Sequence, residues 1–256
     1  IKALQQICNA ETNPVELGTK ELTFHPGKIK RGIYEINIGT AGSITLFLQA
    51  IILPCLFAPG KVTLKVKGGT CGKWQASVYY LQNVLLPHLQ RFVEKIELKV
   101  IKKGYYPKGG GEVHLEITPR FKLNEYDSFP AFYEDLNFKT AKIKLTSQGE
   151  LEQIRGIVNL SAELEEKEVG ERIKTTVESL LRNYQVPINV RIEYGETFSI
   201  GGEIVLWSIF SQNGKVDFDN PTILGGDALI ERNKRSEDVG KEATEMLKKE
   251  ISSNTS

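Results

Sequence analysis

The chain alternates between two kinds of apolar spacing. The segments VTLKVK at Val62–Lys67 and EVHLEI at Glu112–Ile117 carry apolar residues at every second position, which is typical of strands with one solvent face. The apolar run that follows Ser43 instead fits a buried helix to about Phe57, because Ala58-Pro59-Gly60 stops it. This change of period between short segments predicts a layered α/β protein.

Apolar spacing of the same two kinds predicts the remaining strands and helices. Further strands are expected at Leu22–His25, Ile33–Ile38, Ile96–Ile101, Lys142–Leu145, Ile154–Leu160, Asn189–Tyr194 and Glu203–Phe210. Helices are expected over Gln75–Phe92, Glu165–Asn183 and Ser236–Ile251, and the opening IKALQQI also has helical spacing. The stretch from Pro119 to Asp135 has no clear period, and we place a domain boundary there.

Composition narrows the class of protein. The longest apolar run, Ile44–Ala58, is interrupted by a Gln and a Pro and is shorter than the ~20 residues that cross a bilayer, which argues against a membrane protein. Cys8, Cys55 and Cys71 are widely spaced and odd in number, which predicts free thiols rather than disulfides or a zinc site. With no secretory signal at the start of the chain, these features predict a cytoplasmic location.

Charge is divided unevenly along the chain. Residues 1–122 contain 17 Lys and Arg against 8 Glu and no Asp, a balance of +9, whereas the other 134 residues balance to −8. The division suggests that the first half faces a polyanion. An equally acceptable interpretation is that lysines cover the solvent face of strands.

Two features lie around the first long helix. GTAGS at Gly39–Ser43 joins a strand to a helix, where unpaired N–H groups favour phosphate, although a capped helix start explains the same residues. Gln49 interrupts the apolar face of that helix, and a buried amide there must find hydrogen-bond partners. It is expected either to cap a backbone group or to contact a ligand.

The segment GYYPKGGGEV, Gly104–Val113, carries three consecutive glycines between two strands. Three glycines cost conformational entropy that a simple hairpin does not require, so we expect close approach of the backbone to a ligand or to another part of the fold. Lysines interleaved with Tyr105 and Tyr106 would suit RNA through phosphate contacts and stacking. They are Lys99, Lys102, Lys103 and Lys108.

The histidines provide no catalytic pattern. His25, His88 and His114 are isolated from one another, and none has a neighbouring acid or nucleophile that would single it out. No metal-ligand cluster is apparent either. No catalytic residue and no metal ligand is therefore assigned.

The order and spacing of GTAGS, LQ, GGT and YPKGGGEV resemble those of RNA 3'-terminal phosphate cyclases, and the resemblance extends over nearly all of the chain. It implies an α/β (α+β) fold: a cyclase domain of repeated βαβαββ-type units, related to enolpyruvyl transferases, with a smaller inserted α/β domain. On this basis residues 1–137 belong to the cyclase domain and residues 138–256 to the insert.

The resemblance also implies an activity. Members of this family are ligase-class, nucleotide-binding enzymes of RNA processing that use ATP to adenylylate a histidine and then pass AMP to an RNA 3'-phosphate. The product is a 2',3'-cyclic phosphate, and a divalent metal, Mg or Mn, assists. By position Gln49 matches a glutamine that contacts ATP. The catalytic histidine and the segment with the metal-binding acid are expected to lie outside Ile1–Ser256.

One stretch departs from the family pattern. After GGT the chain reads CGKWQASVYY, Cys71–Tyr80, where relatives have acids or amides and a proline-containing turn, and Ala76 stands in place of a proline that packs near the nucleotide base. This departure supports an alternative, a non-catalytic cyclase-like RNA-binding protein that acts in ribosome assembly. An enolpyruvyl transferase is a weaker third possibility, because YPKGGGEV does not resemble that family's motifs.

Overall fold

The computed structural model describes residues 1–16, 18–39, 42–142 and 146–253. The helices are α1 (Lys2–Cys8), α2 (Ile44–Cys55), α3 (Val78–Tyr80), α4 (Leu86–Leu89), α5 (Phe129–Lys139), α6 (Val169–Leu181) and α7 (Ser236–Ser252). The strands are β1 (Glu11–Thr12), β2 (Phe24–His25), β3 (Gly32–Asn37), β4 (Val62–Gly68), β5 (Val93–Lys102), β6 (Gly111–Pro119), β7 (Glu150–Ser161), β8 (Ile188–Gly195), β9 (Gly202–Ser211) and β10 (Thr222–Leu229).

The first large sheet has the strand order β3-β4-β6-β5. Strands β3 and β4 are parallel and are joined through α2, whereas β6 pairs antiparallel with both β4 and β5. The helical segment between β4 and β5 begins at α3 and continues through a π-helical turn, α4 and a 3-10 turn to Phe92. The order β3-α2-β4-helix-β5-β6 is therefore the expected βαβαββ unit.

The second large sheet has the strand order β10-β9-β7-β8. Its chain order, β7-α6-β8-β9-β10-α7, differs from that of the first unit, and only β7 and β8 are parallel. Helices α6 and α7 pack on one face, where Leu160, Ile173, Leu206 and Leu247 are among the buried core residues. The predicted α/β fold is confirmed.

The opposite face of the second sheet packs on the first unit. Ile157, Val205 and Trp207 belong to the same apolar core as Tyr79 and Val84 of the helical segment after β4. The two sheets are thus connected through one continuous core. The division of the chain at residues 137 and 138 stays a prediction.

Two sequence predictions about helices were wrong for identifiable reasons. The helix expected from Gln75 begins at Val78, because Ser77 caps it by accepting a hydrogen bond from the Tyr79 N–H at 3.0 Å. The stretch expected to be irregular contains α5, whose start is capped by Ser128. Only Phe132 of α5 is buried, so the helix has little apolar period to detect.

Strand β10 was not predicted, because Gly225-Gly226 at its centre is typical of a turn. A Cβ atom on Gly225 would lie 2.6 Å from the Tyr80 ring, and one on Gly226 would lie 2.6 Å from the Ala243 carbonyl oxygen. Helices therefore cross both faces of this strand at distances that only glycine allows. The predicted strand Lys142–Leu145 lies, apart from its first residue, outside the described residues.

Candidate functional site

A cleft of about 1090 Å³ lies between the first unit and the second sheet. Its walls come from five short segments that are far apart in the chain. They are Ser43 with Leu46 at the start of α2, residues between Gly69 and Gln75, Tyr105–Pro107, Ile200–Gly202 and Leu229–Arg232. The cleft thus collects parts of GTAGS, GGT and GYYPKGGGEV, which the sequence analysis singled out separately.

The GGT segment and the glycine-rich turn are bound directly to each other. The Thr70 N–H donates to the Gly104 carbonyl at 2.9 Å, and the Gly104 N–H donates to Thr70 Oγ1 at 3.1 Å. Gly111 lies opposite Gly68 in the β4–β6 ladder, and a Cβ on Gly111 would come within 2.7 Å of Thr70 Cγ2. Of the two expectations for the glycines, close approach to another part of the fold is confirmed.

The same turn also contacts the second sheet's connecting loop. Gly109 and Gly110 have φ values of 60° and 77°, a conformation that favours glycine, and a Cβ on Gly110 would collide with the Phe198 ring. The Lys108 N–H donates to Ser199 Oγ at 3.1 Å. The turn is therefore held between the two sheets, which positions Tyr105 and Tyr106 at the cleft.

The start of α2 is a capped helix end. Ser43 Oγ accepts from the Leu46 N–H at 3.0 Å, and the Ile44 N–H donates to the Gly69 carbonyl at 3.1 Å. Two N–H groups of the first turn therefore already have protein partners. Thr40 and Ala41 lie outside the described residues, so the predicted phosphate site at GTAGS stays a prediction.

Gln49 does not occupy the position that its pattern suggested. The expectation that it is a buried amide was wrong: its side chain is exposed on α2, and it does not line the cleft. The reason is that α2 turns only one face, including Leu48 and Ile52, into the core. Its assignment as an ATP contact stays a prediction.

A group of polar side chains is buried beside the cleft floor. Asn159 and Glu203 lie opposite each other on β7 and β9 and have no solvent exposure, while Tyr105 and Cys71, which line the floor, are almost fully buried. Among the described residues, neither carboxylate oxygen of Glu203 has a hydrogen-bond partner by geometry, and neither does Tyr105 Oη.

The electrostatics of this group follow from its burial. Burial raises the pKa of Glu203 to about 7, although nearby Cys71 and Ser77 lower it again in part. Burial also raises the pKa of Cys71 and of Tyr105, and the neighbouring Glu203 carboxyl raises both further. Cys71 and Tyr105 therefore stay in their neutral forms, and Glu203 keeps its proton to a higher pH than an exposed glutamate does. Sequence analysis did not identify this group. The signal that could have revealed it is Glu203, a carboxylic acid at the start of the largely apolar strand GEIVLWSIF.

The predicted lysine patch is divided in the structure. Lys103 Nζ donates to the Glu193 carbonyl at 2.9 Å across the two sheets, and burial lowers its pKa. Lys102 Nζ lies 3.8 Å above the centre of the Phe198 ring, and Lys99 pairs with Glu97 at 3.4 Å. Lys108 is exposed beside Pro107. The expectation that Lys103 faces RNA was wrong, because this side chain joins the two sheets instead. RNA contact by Lys99, Lys102 and Lys108 stays a prediction.

The other candidate groups lie away from the cleft. His25 is exposed, His114 Nε2 lies 2.8 Å from Glu112 Oε1 on a strand, and burial lowers the pKa of His88. None of the three lines the cleft. All three cysteines are free thiols, as predicted. Within residues 1–16, 18–39, 42–142 and 146–253 no cluster of three or more His, Cys, Asp or Glu side chains could hold a metal ion.

In the part of the chain that the structure describes, no helix is both long enough and apolar enough to span a bilayer.

Several cleft residues had no signal in the sequence analysis as ligand contacts. Trp74 and Arg232 are examples, because each stands in a loop whose position depends on another segment. Trp74 is 83% exposed and Tyr106 77% exposed, although both are large aromatic side chains. Both side chains line the cleft.

Comparison with known proteins gives one consistent result. A family model described as RNA 3'-terminal phosphate cyclase matches residues 1–233. The chain is 36% identical over 255 residues to a protein of that name from Methanopyrus kandleri, covering 96% of this chain and 64% of the relative. It is 36% identical over 256 residues to the one from Archaeoglobus fulgidus, covering 99% of this chain and 66% of that relative. The chain therefore spans slightly less than two thirds of the length of these relatives.

Proposed function

Because this chain belongs to the RNA 3'-terminal phosphate cyclase family, we propose that the protein acts in converting an RNA 3'-phosphate end to a 2',3'-cyclic phosphate with ATP. The proposed course is that of a ligase: ATP adenylylates the enzyme and releases pyrophosphate, and AMP then passes to the RNA 3'-phosphate. The neighbouring 2'-hydroxyl attacks that 3'-phosphate and displaces AMP. Each transfer breaks one phosphoanhydride or phosphoramidate bond and forms one new bond to phosphorus.

One structural observation carries this proposal. Three of the motifs that resemble the family, which are separated in the chain, contribute residues to a single cleft: Ser43, the segment after Gly69, and Tyr105–Pro107. The cleft has the size of a small-molecule or nucleotide site, which is usually about 300 to 1,000 Å³. Lys73 and Arg232 line it and would attract phosphate groups.

The chain's own residues account for binding rather than for the covalent step. We assign the nucleophile to none of the three histidines, because none lines the cleft. A divalent metal, Mg or Mn, would neutralise phosphate charge when bound, but no metal ligand is assigned among the described residues. Gln49 as an ATP contact is retained as part of the proposal.

The experiment uses the complete gene product, ATP labelled at the α-phosphate, and a short RNA with a 3'-phosphate. We expect a labelled protein–AMP adduct and an RNA end that resists phosphatase because its phosphate is cyclised. The same RNA with a 3'-hydroxyl is the control and should remain unchanged. Absence of both the adduct and the cyclised end would contradict the proposal.

A second candidate is a non-catalytic cyclase-like protein that binds RNA in ribosome assembly. The observation that favours it is the Cys71–Tyr80 stretch: Cys71 is buried with a raised pKa, so its thiol stays neutral where relatives are expected to have an acid or amide. RNA binding without adduct formation in the experiment above would support this second candidate.

A further inference from the structure

Trp74 lies in a turn that is held by hydrogen bonds within the turn and to the segments on either side of it. The Gln75 N–H donates to the Gly72 carbonyl at 3.2 Å and closes the turn. Thr45 Oγ1 of α2 donates to the Ala76 carbonyl at 2.8 Å, and the Val78 N–H donates to the Thr70 carbonyl at 2.9 Å. A fixed turn thus presents an indole that is 83% exposed.

Tyr106 is presented in the same way from a different wall. Its neighbour Tyr105 is buried, and a Cβ on Gly201 would lie 2.6 Å from the Tyr105 ring, so this segment packs tightly against the second sheet. The Gly109 N–H donates to the Tyr105 carbonyl at 2.8 Å and closes the turn. Tyr106 itself stays 77% exposed and lines the cleft together with Trp74.

Positively charged side chains lie beside the Trp74 ring and follow Tyr106 closely in the chain. Lys73 Nζ lies 5.8 Å from the centre of the Trp74 ring and 3.7 Å from Glu231 Oε1, and Arg232 lines the same cleft. Lys108 is exposed two residues after Tyr106. Stacking surfaces interleaved with positive charge are the features that hold single-stranded nucleic acid, since every base has a flat face and every nucleotide a phosphate.

We infer that Trp74 and Tyr106 form an aromatic rim that stacks the bases at the 3' end of single-stranded RNA, while Lys73, Arg232 and Lys108 contact its phosphates. This inference rests on the proposed function, since it takes RNA as the substrate, and it adds the residues that select an unpaired end. A base-paired end cannot use the rim, because its bases are already stacked in a duplex.

The test measures binding of two single-stranded RNAs with a 3'-phosphate, one intact and one lacking the bases of its last two nucleotides. For the intact RNA we expect Trp74→Ala to weaken binding about tenfold, within the range of one lost base stack, and Trp74→Phe to stay within about threefold. For the abasic RNA, Trp74→Ala should have no effect, because the stacking partner is missing.

Two controls separate stacking from other causes. Phe138→Ala removes an aromatic ring that is 89% exposed on α5 and does not line the cleft, and it should leave binding of both RNAs unchanged. The slope of binding against salt concentration should be the same in wild type and Trp74→Ala, but shallower in Lys108→Ala.

The outcomes distinguish this inference from the proposed function. Equal weakening of intact and abasic RNA by Trp74→Ala would mean a structural role for the indole and would overturn the inference alone. Two further results would also overturn the inference alone. One is that Trp74→Ala weakens binding of ATP but not of RNA, and the other is that RNA binds and is cyclised normally without the indole. If the wild-type protein binds neither RNA, the proposed function and the inference both fail.

Discussion

The two large sheets differ in how many of their faces are covered. In the first, β6 alternates between buried residues such as Leu115 and half-exposed ones such as His114 and Glu116. In the second, almost every residue of β9 is buried, because α6 and α7 cover one face and the first unit covers the other. Coverage of both faces explains why the sequence IVLWSIF is apolar at every position except Ser208.

The difference in coverage also explains where several charged residues of the first half of the chain lie. The uncovered face of the first sheet carries cross-strand ion pairs, including Lys61–Glu116, Lys65–Glu35 and Lys67–Glu112. Several lysines of the first half therefore lie on a solvated face, as the second interpretation of the charge supposed, but each of these three is balanced by a glutamate. In the second sheet an acid of the same type, Glu203, has no solvent exposure and, among the described residues, no hydrogen bond to a cation by geometry. Its burial raises its pKa to about 7.

The largest expected effect tests directly whether both faces of the second sheet are covered by packed elements. Leu206→Ala and Ile157→Ala, on opposite faces of the second sheet, should each lower the free energy of unfolding by about 2 to 5 kcal/mol, because both leave cavities. In the first sheet Leu115→Ala should cost as much, but its neighbour His114→Ala less than about 1 kcal/mol. Urea unfolding measures all four. A small loss for Ile157→Ala would contradict packing between the units.

A slightly smaller effect on the free energy of unfolding is expected from Glu203, the carboxylic acid buried on β9. The pKa of Glu203 is raised to about 7, so its contribution to stability is fully present below about 4.5 and is lost as the pH rises through 7. At pH 8 we expect Glu203→Gln to be more stable than wild type by roughly 2 to 4 kcal/mol, and at pH 4.5 about equal.

The matched control for that change is Glu116→Gln on the uncovered face. Lys61 donates to Glu116 at 3.0 Å and lowers its pKa, so the substitution should lower stability slightly near pH 7, with the opposite sign. Unfolding by urea at pH 4.5 and pH 8 provides the comparison. Parallel pH profiles for wild type and Glu203→Gln would mean that folding does not raise the pKa of Glu203.

The smallest effect is expected for a single ion pair of the uncovered face. Lys65→Ala removes the 3.0 Å contact with Glu35, whose side chain is largely exposed, and should cost less than about 1 kcal/mol at low salt. The cost should vanish in 1 M salt, where the Debye length is about 3 Å. Lys28→Ala, an exposed lysine with no ion pair among the described residues, should change stability at neither salt concentration.

Much of the fold could be predicted from local patterns because many of the helices and strands have one buried and one exposed face, which produces a regular apolar period. Strand β4 and helix α7 were expected within one or two residues of their observed bounds, and Ser43 caps α2 as its residue type suggested. Strand β10 and helix α5 were missed, because glycines that admit neighbouring helices and aromatic residues that remain exposed do not follow the usual periods.

The candidate site was less predictable. The glycine-rich turn and GGT were recognised, but Gln49 was expected to be buried and is exposed, and Lys103 was expected to face RNA and instead joins the sheets. Trp74 carried no signal of its own. A side chain's role at a cleft depends on which distant segments stand opposite it, and periodicity contains no such information.

The sequence by itself determined the family, the alternating strands of the first sheet and the need for glycine after Pro107, because each depends on local spacing and residue type. Only the tertiary structure decided that Gly104 and Gly111 meet GGT, that Glu203 is buried without a hydrogen-bond partner among the described residues, and that Trp74 and Tyr106 line one cleft. These facts depend on packing between segments that are tens of residues apart, which local physics leaves open.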